Sequence, residues 1–160
     1  MKKAFSVILT LILLTGCTAQ SNITPKTKGI TFGCDVTYYN ETYECKGETT
    51  EDGDTTIEFI IPEDINGLRF EFGDKGVTAN FKDTELKSQK IVFENSVASF
   101  IYTVLNSENT AVINENDLFY TEGVAGDFEY QLQLGGTGLP LKITTRPDAV
   151  EVVFKSVKIK

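Results

Sequence analysis

The 160-residue chain contains no histidine and no tryptophan, and it has only three cysteines, one methionine and four prolines. Without histidine, the Ser-His and Cys-His pairs that activate most nucleophilic enzymes are excluded, and a zinc site would need cysteine or carboxylate ligands. The sequence also lacks a Gly-x-Ser-x-Gly nucleophile motif and a glycine-rich phosphate-binding loop. We therefore expect a protein that is not an enzyme and that uses no metal and no cofactor.

Carboxylates are the remaining candidates for acid–base chemistry, and they are scattered along the chain. A glycosidase needs two carboxyl groups held at a fixed separation. The candidates here fall where the pattern predicts solvated strand edges, at Glu58, Asp83, Glu85 and Asp117. A carboxylate-based hydrolase is therefore the least favoured class of function.

The N-terminus carries the one long apolar run. Lys2 and Lys3 precede an apolar stretch at 4–14, which as a helix is shorter than the roughly 30 Å hydrocarbon core of a membrane. The run ends in Leu-Thr-Gly-Cys at 14–17. Together these features resemble a bacterial lipoprotein export signal with its lipobox. The resemblance implies that residues 1–16 are removed and that Cys17 becomes the acylated first residue, carrying chains such as palmitate. An ordinary cleaved signal or a buried N-terminal helix is the alternative.

The resemblance also implies that an acylated Cys17 places the protein in the bacterial cell envelope, anchored to a lipid bilayer on the exported side, because two acyl chains make anchoring stable. The small polar residues at 17–28 predict a lipidated tether, and residues 29–160 predict one domain. Once the signal is removed, the chain has 13 basic residues, which are scattered, and 23 acidic residues. Nucleic acid is therefore not an expected partner.

The other two cysteines form an even pair in a chain predicted to be exported, where disulfides persist. Cys34 and Cys45 flank a short turn between two β-rich runs, either a two-residue loop at Tyr39 and Asn40 or a four-residue loop at 38–41, which keeps the same register. If the turn closes a hairpin, Cys34 lies directly opposite Cys45, at a separation that a disulfide tolerates. We expect a structural disulfide; a redox or metal-binding thiol pair is the alternative.

From Ile30 onward, apolar and polar residues alternate between turn signals, most regularly at 128–134. One segment, 96–107, instead has apolar residues at helical spacing, with Asn95 as the expected N-cap. The order is strands, one amphipathic helix, strands. The predicted fold class is mainly β (α+β), with a single curved antiparallel sheet of seven to nine strands, or an incomplete β-barrel, and one packed helix.

This order, with the closing runs at 127–134, 138–143 (Gly-Leu-Pro-Leu-Lys-Ile) and 150–154, resembles the LolA/LolB and LppX type of lipoprotein-handling proteins. The resemblance implies a LolA-like incomplete β-barrel over residues 29–160, covered by helical structure. It also implies an apolar cavity that holds acyl chains. The expected partners are the bilayer and a lipid or lipoprotein ligand.

The apolar faces of the predicted strands and helix supply the lining of that cavity. If the sheet and helix leave space between them, an apolar or lipidated ligand binds there. If they do not, the same residues are ordinary core, and the chain is an envelope interaction or structural module. The candidates are Phe59, Phe70, Phe72, Phe81, Phe100, Ile101, Val104, Phe128, Tyr130, Leu132 and Leu141.

Replacing Cys17 by serine should abolish lipidation, because the acyl-bearing glyceryl group is attached through the cysteine sulfur. Metabolic labelling with a palmitate analogue, followed by membrane fractionation, measures this. Cys34→Ser is the matched control and should keep the label. A labelled Cys17→Ser variant would contradict the lipobox prediction.

Overall fold

The computed structural model describes residues 23–88, 96–108 and 111–160. The signal at 1–16, Cys17 and Asn95 lie outside the described residues. The elements are β1 Ile30–Tyr38, β2 Glu41–Thr49, β3 Thr55–Ile61, a 3-10 turn Glu63–Ile65, β4 Arg69–Gly73, β5 Gly76–Phe81, β6 Thr84–Ser88, α1 Val97–Leu105, β7 Ile113–Glu115, β8 Leu118–Ala125, β9 Phe128–Leu134, β10 Pro140–Arg146 and β11 Val150–Ile159.

All eleven strands form one antiparallel sheet in the order β6-β5-β4-β3-β2-β1-β11-β10-β9-β8-β7. Each half is a meander, and the halves join in the middle because β1 pairs with β11. The sheet is not closed, since β6 and β7 are its edges. This confirms the predicted fold class. The strand count exceeds the expected seven to nine because β6 and β7 are short, lack buried side chains and show no apolar alternation.

The first hairpin has the register expected from the sequence. Tyr39 and Asn40 form its two-residue turn with positive φ angles of 46° and 72°, as a type I′ turn requires. Cys34 consequently lies opposite Cys45. The pairing shifts register beside each cysteine, between Gly33 and Cys34 against β11 and at Cys45 against β3. Such irregularities bend strands and increase twist, so the sheet curls at this pair.

The two faces of the sheet differ in chemistry. Alternate residues of the central strands are buried on one face, which is concave and apolar. The other face is polar, and ion pairs join neighbouring strands there. Lys155 Nζ lies 2.7 Å from Asp35 Oδ1, and Lys142 Nζ lies 2.7 Å from Glu151 Oε2. Exposed pairs of this kind add little stability, so burial on the concave face dominates.

Helix α1 begins at a different cap from the expected Asn95. Ser96 is the N-cap, with an extended backbone, and its Oγ accepts a hydrogen bond of 3.1 Å from the backbone N–H of Ser99. Ser96 and Asn95 are both good capping residues, and the backbone geometry selects the second of two adjacent candidates. No helix in the described part of the chain is long and apolar enough to cross a membrane.

The segment before β1 is joined to the domain. The backbone N–H of Lys26 donates to the carbonyl of Gly138 at 2.8 Å, and Thr49 Oγ1 donates to the carbonyl of Thr27 at 2.9 Å. The described part of the region 17–28, expected to be a tether, therefore lies against the domain, and Ile23 and Thr24 already lie beside Gly138. This shortens the stretch that can separate Cys17 from the domain.

Both hairpin cysteines are buried and are free thiols in this structure. We expect the exported protein to convert them to a disulfide, because their register fits one and a thiol–disulfide oxidase of the envelope accepts the two electrons while two protons are released. The intact mass should then be two hydrogens lower. Closing so short a loop should stabilise the fold by about 2 to 3 kcal/mol.

Urea unfolding with and without reductant measures that difference. Cys34→Ala/Cys45→Ala is the control, and its unfolding midpoint should not respond to reductant. Full labelling of both cysteines by a thiol reagent after unfolding of the exported protein would contradict the disulfide.

Candidate functional site

Helix α1 lies in the hollow of the curved sheet and is apolar nearly all round. Seven of its nine residues are buried, which is the pattern of a helix enclosed by protein instead of a surface helix with one wet face. Thr103 satisfies its hydroxyl by donating to the backbone carbonyl of Ser99, at 2.9 Å. The helix is thus an apolar filling for the concave face.

Aromatic rings connect the helix to both halves of the sheet. Tyr102 stacks on Phe72 of β4, with ring centroids 4.6 Å apart and planes 10° apart. Phe100 meets Phe128 of β9 edge-on, with centroids 6.1 Å apart. The helix also packs against β8. Since β4 and β9 belong to opposite halves, the helix bridges the opening of the sheet.

Hydroxyl and amide groups tie down the C-terminal end of the helix. Asn106 Nδ2 donates to Thr55 Oγ1 at 3.0 Å, at the start of β3. The Tyr130 hydroxyl donates to Ser107 Oγ at 2.7 Å, from β9. Gly123 provides the space for Tyr130, because a Cβ at Gly123 would lie 2.5 Å from the phenol oxygen. These two bonds are the described side-chain hydrogen bonds between the end of the helix and the sheet.

The structure brings most of the predicted lining residues together. Eight of the eleven lie in one buried core cluster around the helix: Phe59, Phe70, Phe72, Phe100, Ile101, Val104, Tyr130 and Leu132. Phe128 is half-buried and packs against that cluster, and Phe81 is half-buried at the end of β5. With exposures of 0 to 6 % for the eight, their side chains fill the space between sheet and helix in this structure.

Leu141 lies elsewhere than predicted. It is 44 % exposed, whereas Pro140 and Ile143 on the same strand are buried. The cause is a register shift between Pro140 and Lys142 in the pairing of β10 with β9. One extra residue in a strand reverses the faces that follow it, so the alternation of Leu139, Leu141 and Ile143 does not hold.

The polar groups of the concave face are uncharged. The buried polar residues in the described part of the chain all carry hydroxyls: Thr49, Thr55, Ser99, Thr121 and Thr145. No group of three or more His, Cys, Asp or Glu side chains that could hold a metal occurs among the described residues. The buried part of this surface is therefore apolar, with a few uncharged hydroxyl groups in the described ranges.

The thiol pair adds no reactivity to this surface. The hydrogen bond between the Cys34 thiol and Cys45, followed by burial, raises the pKa of Cys34 far above its ordinary value. A thiol with a raised pKa stays protonated, and the thiolate is the form that attacks or binds metals. The structure therefore gives no support to the alternative of a redox or metal-binding pair.

A surface hollow of about 660 Å³ opens beside the C-terminal end of the helix. Ser107 lines it, and its charged lining residues are Lys26, Lys28, Glu51 and Glu108. The volume is that of a ligand site, but this lining is unsuited to acyl chains. Its place next to Ser107 makes it a polar surface hollow beside the C-terminal end of the helix.

Sequence reasoning missed the hydroxyl and amide groups of this site. Thr121 and Gly123 alternate with exposed residues on β8, but small and polar side chains produce no apolar signal. Asn106 and Ser107 are typical of a helix exit, and nothing local shows what they contact. Only the crossing of the helix over β3 and β9 defines these partners.

No protein-family model matches the sequence, and no curated protein matches it. Solved structures are similar in fold. An uncharacterized conserved protein from Thermus thermophilus superposes with a TM-score of 0.52 at 10 % identity, over 84 % of this chain and 80 % of that one. The likeness to the Thermus protein shows a shared fold and no more.

Two further structures superpose with TM-scores of 0.42. One is a LolA superfamily protein from Nitrosomonas europaea, at 7 % identity over 82 % of this chain and 84 % of that one. The other is described as an outer membrane lipoprotein-sorting protein domain from Vibrio parahaemolyticus, at 14 % identity over 84 % of this chain and 86 % of that one. Scores at this level add nothing to the geometry of the site.

Gly123→Ala should loosen the end of the helix, because the added methyl group displaces the Tyr130 ring and breaks its bond to Ser107. The expected loss is about 1 to 3 kcal/mol of unfolding free energy, measured by urea denaturation. Gly136→Ala is the matched control, since no atom lies within 4 Å of its new Cβ. Equal stability of both variants would contradict the contact.

Proposed function

We propose that the chain is a non-enzymatic lipoprotein of the bacterial envelope, anchored through Cys17, that binds an apolar or lipidated molecule on the concave face of its sheet. The observation that supports this is the apolar helix α1, which fills an unclosed sheet and shares no backbone pairing with it. In the proposal, the helix is displaced from the concave face and the ligand binds there instead.

The sheet keeps its own hydrogen bonds when the helix moves. Every strand is paired with a neighbour, and the helix meets the sheet through side chains. Moving the helix therefore leaves few backbone groups without partners, unlike the removal of a strand. The main loss is the burial of apolar side chains, which an apolar ligand restores.

A comparison of burial free energies indicates the class of ligand. Burying the five large apolar side chains of the helix, Val97, Phe100, Ile101, Val104 and Leu105, contributes about 8 to 15 kcal/mol. A sixteen-carbon acyl chain contributes about 12 kcal/mol at roughly 0.8 kcal/mol per buried CH₂. The burial of one acyl chain contributes about as much free energy as the burial of the helix side chains, and the burial of two chains contributes more. The proposed ligand is therefore a diacyl molecule.

The proposed anchor suits this role. The chain already lies beside Gly138 at Ile23 and Thr24, so about five residues separate the domain from Cys17. Fully extended, this stretch spans roughly 20 Å. The domain then works beside the bilayer, where diacyl molecules are found.

The close packing of the eight core residues favours a second candidate. In this alternative the core stays closed, the helix never moves, and the chain is an envelope interaction or structural module. The two candidates differ in whether a ligand binds and in whether loosening the helix helps it to bind.

Native mass spectrometry of the domain from residue 21, after exposure to a bacterial lipid extract, tests the first difference. We expect a stoichiometric adduct of diacyl lipid mass that organic solvent removes. A bare protein mass at every lipid concentration would contradict ligand binding and favour the closed module.

Tyr130→Phe tests whether the helix has to give way. The variant keeps the ring and loses the bond to Ser107, worth about 1 kcal/mol. If ligand binding requires displacement of the helix, the apparent affinity should rise about fivefold, because the open state becomes more populated. Lipid titration in the same spectrometer measures it.

Thr145→Val is the control for a general loss of stability. Thr145 Oγ1 accepts hydrogen bonds from the backbone N–H groups of Ala149 and Val150, in the turn between β10 and β11. This variant should lose stability and keep the wild-type affinity. An equal rise in both variants would contradict displacement of the helix.

A further inference from the structure

One buried hydroxyl on the concave face has no partner. Thr121 is fully buried on β8, and its Oγ1 makes no hydrogen bond within the described part of the chain. Thr50 Oγ1, just after β2, also lacks a hydrogen bond, but Thr50 is only partly buried. The other four fully buried hydroxyl residues in the described ranges are bonded, Thr49, Thr55 and Thr145 to backbone groups and Ser99 to Ser96. An unsatisfied buried hydroxyl is unfavourable, so its presence calls for an explanation.

The position of this hydroxyl is that of a ligand contact. Thr121 lies on the strand against which α1 packs, and directly opposite Leu132 of the predicted lining. β7 pairs with β8 only as far as Tyr120, so Thr121 lies just beyond the end of that pairing. The hydroxyl is therefore buried on the strand against which the helix packs, and it is close to an edge of the open sheet.

The neighbouring hydroxyls have already used their protons. Two residues along β8, roughly 7 Å away, Gly123 lies beneath the phenol of Tyr130. That phenol donates to Ser107, and Ser107 donates to the carbonyl of Val104. Thr121 is left with the free donor of the group. A free donor without any charge nearby suits a neutral acceptor, such as a carbonyl oxygen.

We propose that Thr121 is the hydrogen-bond donor that recognises an ester carbonyl of a diacylglyceryl ligand when α1 gives way. This rests on the proposed function and specifies the chemistry of its ligand. The acyl chains take the place of the helix side chains, and the ester carbonyl accepts the proton of Thr121. A dialkyl ether of the same length fills the same space and has no carbonyl to offer.

The experiment uses the full chain in nanodiscs built from ether-linked lipids, so that the added probe is the only ester-bearing lipid apart from the acyl groups proposed on Cys17, which are the same in every comparison. Two photoactivatable probes are compared, a diazirine diacylglycerol and the matching dialkylglycerol. Cross-linked peptides from α1, β8 and β9 are quantified by mass spectrometry. In the wild type, the ester probe should label these peptides about tenfold more than the ether probe, as expected for one buried hydrogen bond.

Thr121→Val should bring the ester-to-ether ratio close to one, and Thr121→Ser, which keeps the donor, should restore the preference. Thr145→Val is the matched buried threonine and should keep the wild-type ratio. Equal labelling by both probes in the wild type would overturn the role of Thr121 and leave the proposed function standing. No labelling of these peptides by either probe would contradict the proposed function itself.

Thermal melting supplies a readout independent of any ligand. If the hydroxyl has no partner in the empty protein, Thr121→Val should melt about 2 to 4 °C higher than the wild type. A lower melting temperature would show that the hydroxyl serves the fold, and this would overturn the proposal.

Diacylglyceryl esters occur both in phospholipids and on the acylated cysteine of lipoproteins. Unlabelled phosphatidylglycerol and a synthetic diacylglyceryl-cysteine peptide are therefore used as competitors of the ester probe. Stronger competition by one of them identifies the source, and both results support ester recognition. Competition by neither would contradict it.

Discussion

An open, curved sheet has to cover its concave apolar face, and the rest of this structure follows from that constraint. The eleven strands curl around the central pairing of β1 with β11, but β6 and β7 do not meet. In the described part of the chain, the element that fills the hollow is helix α1. A nine-residue helix is marginally stable by itself in water, so the helix depends on packing against the sheet, and the sheet depends on the helix to cover its apolar face.

The two partners in this arrangement are held by different forces. The sheet is held by backbone hydrogen bonds that run through all eleven strands. The helix is held by ring contacts and by the two hydrogen bonds of Asn106 and Tyr130. Elements held by side chains alone open at lower free energy than a paired sheet. If a part of this molecule moves while the rest persists, that part is the helix.

Sequence patterns predicted the features that depend on neighbouring residues. The Tyr39-Asn40 turn fixed the register of the first hairpin, and helical spacing located α1. Leu141 was predicted on the wrong face of the sheet because a register shift in β10 reverses the alternation, and no residue type at this position indicates the shift. Strands β6, β7 and β8 were missed because their pairing, and not a regular apolar alternation, defines them.

The site was predicted less completely than the fold because its polar groups gain meaning only from contacts across the hollow. Apolar periodicity identified the core residues around the helix, such as Phe100 and Leu132. It could not show that Tyr130 bonds to Ser107. Nor could it show that Thr121, a common strand residue, is left without a partner in the described part of the chain. A buried polar group without a partner breaks the rule that buried polar groups are hydrogen-bonded. Such exceptions distinguish a binding surface from an ordinary core, and the sequence alone does not show them.

The uncharged interior also restricts how a ligand sits. Ionic head groups are costly to bury without a partner charge, and the buried polar groups in the described ranges are hydroxyls. Lys26, Lys28, Glu51 and Glu108 lie instead around the hollow at the end of the helix. In the proposed complex, the acyl chains of a diacyl ligand therefore lie on the apolar concave face, and its charged end stays outside it. The ester groups join these two parts of the ligand and are neutral, so a neutral hydrogen-bond donor such as Thr121 suits them.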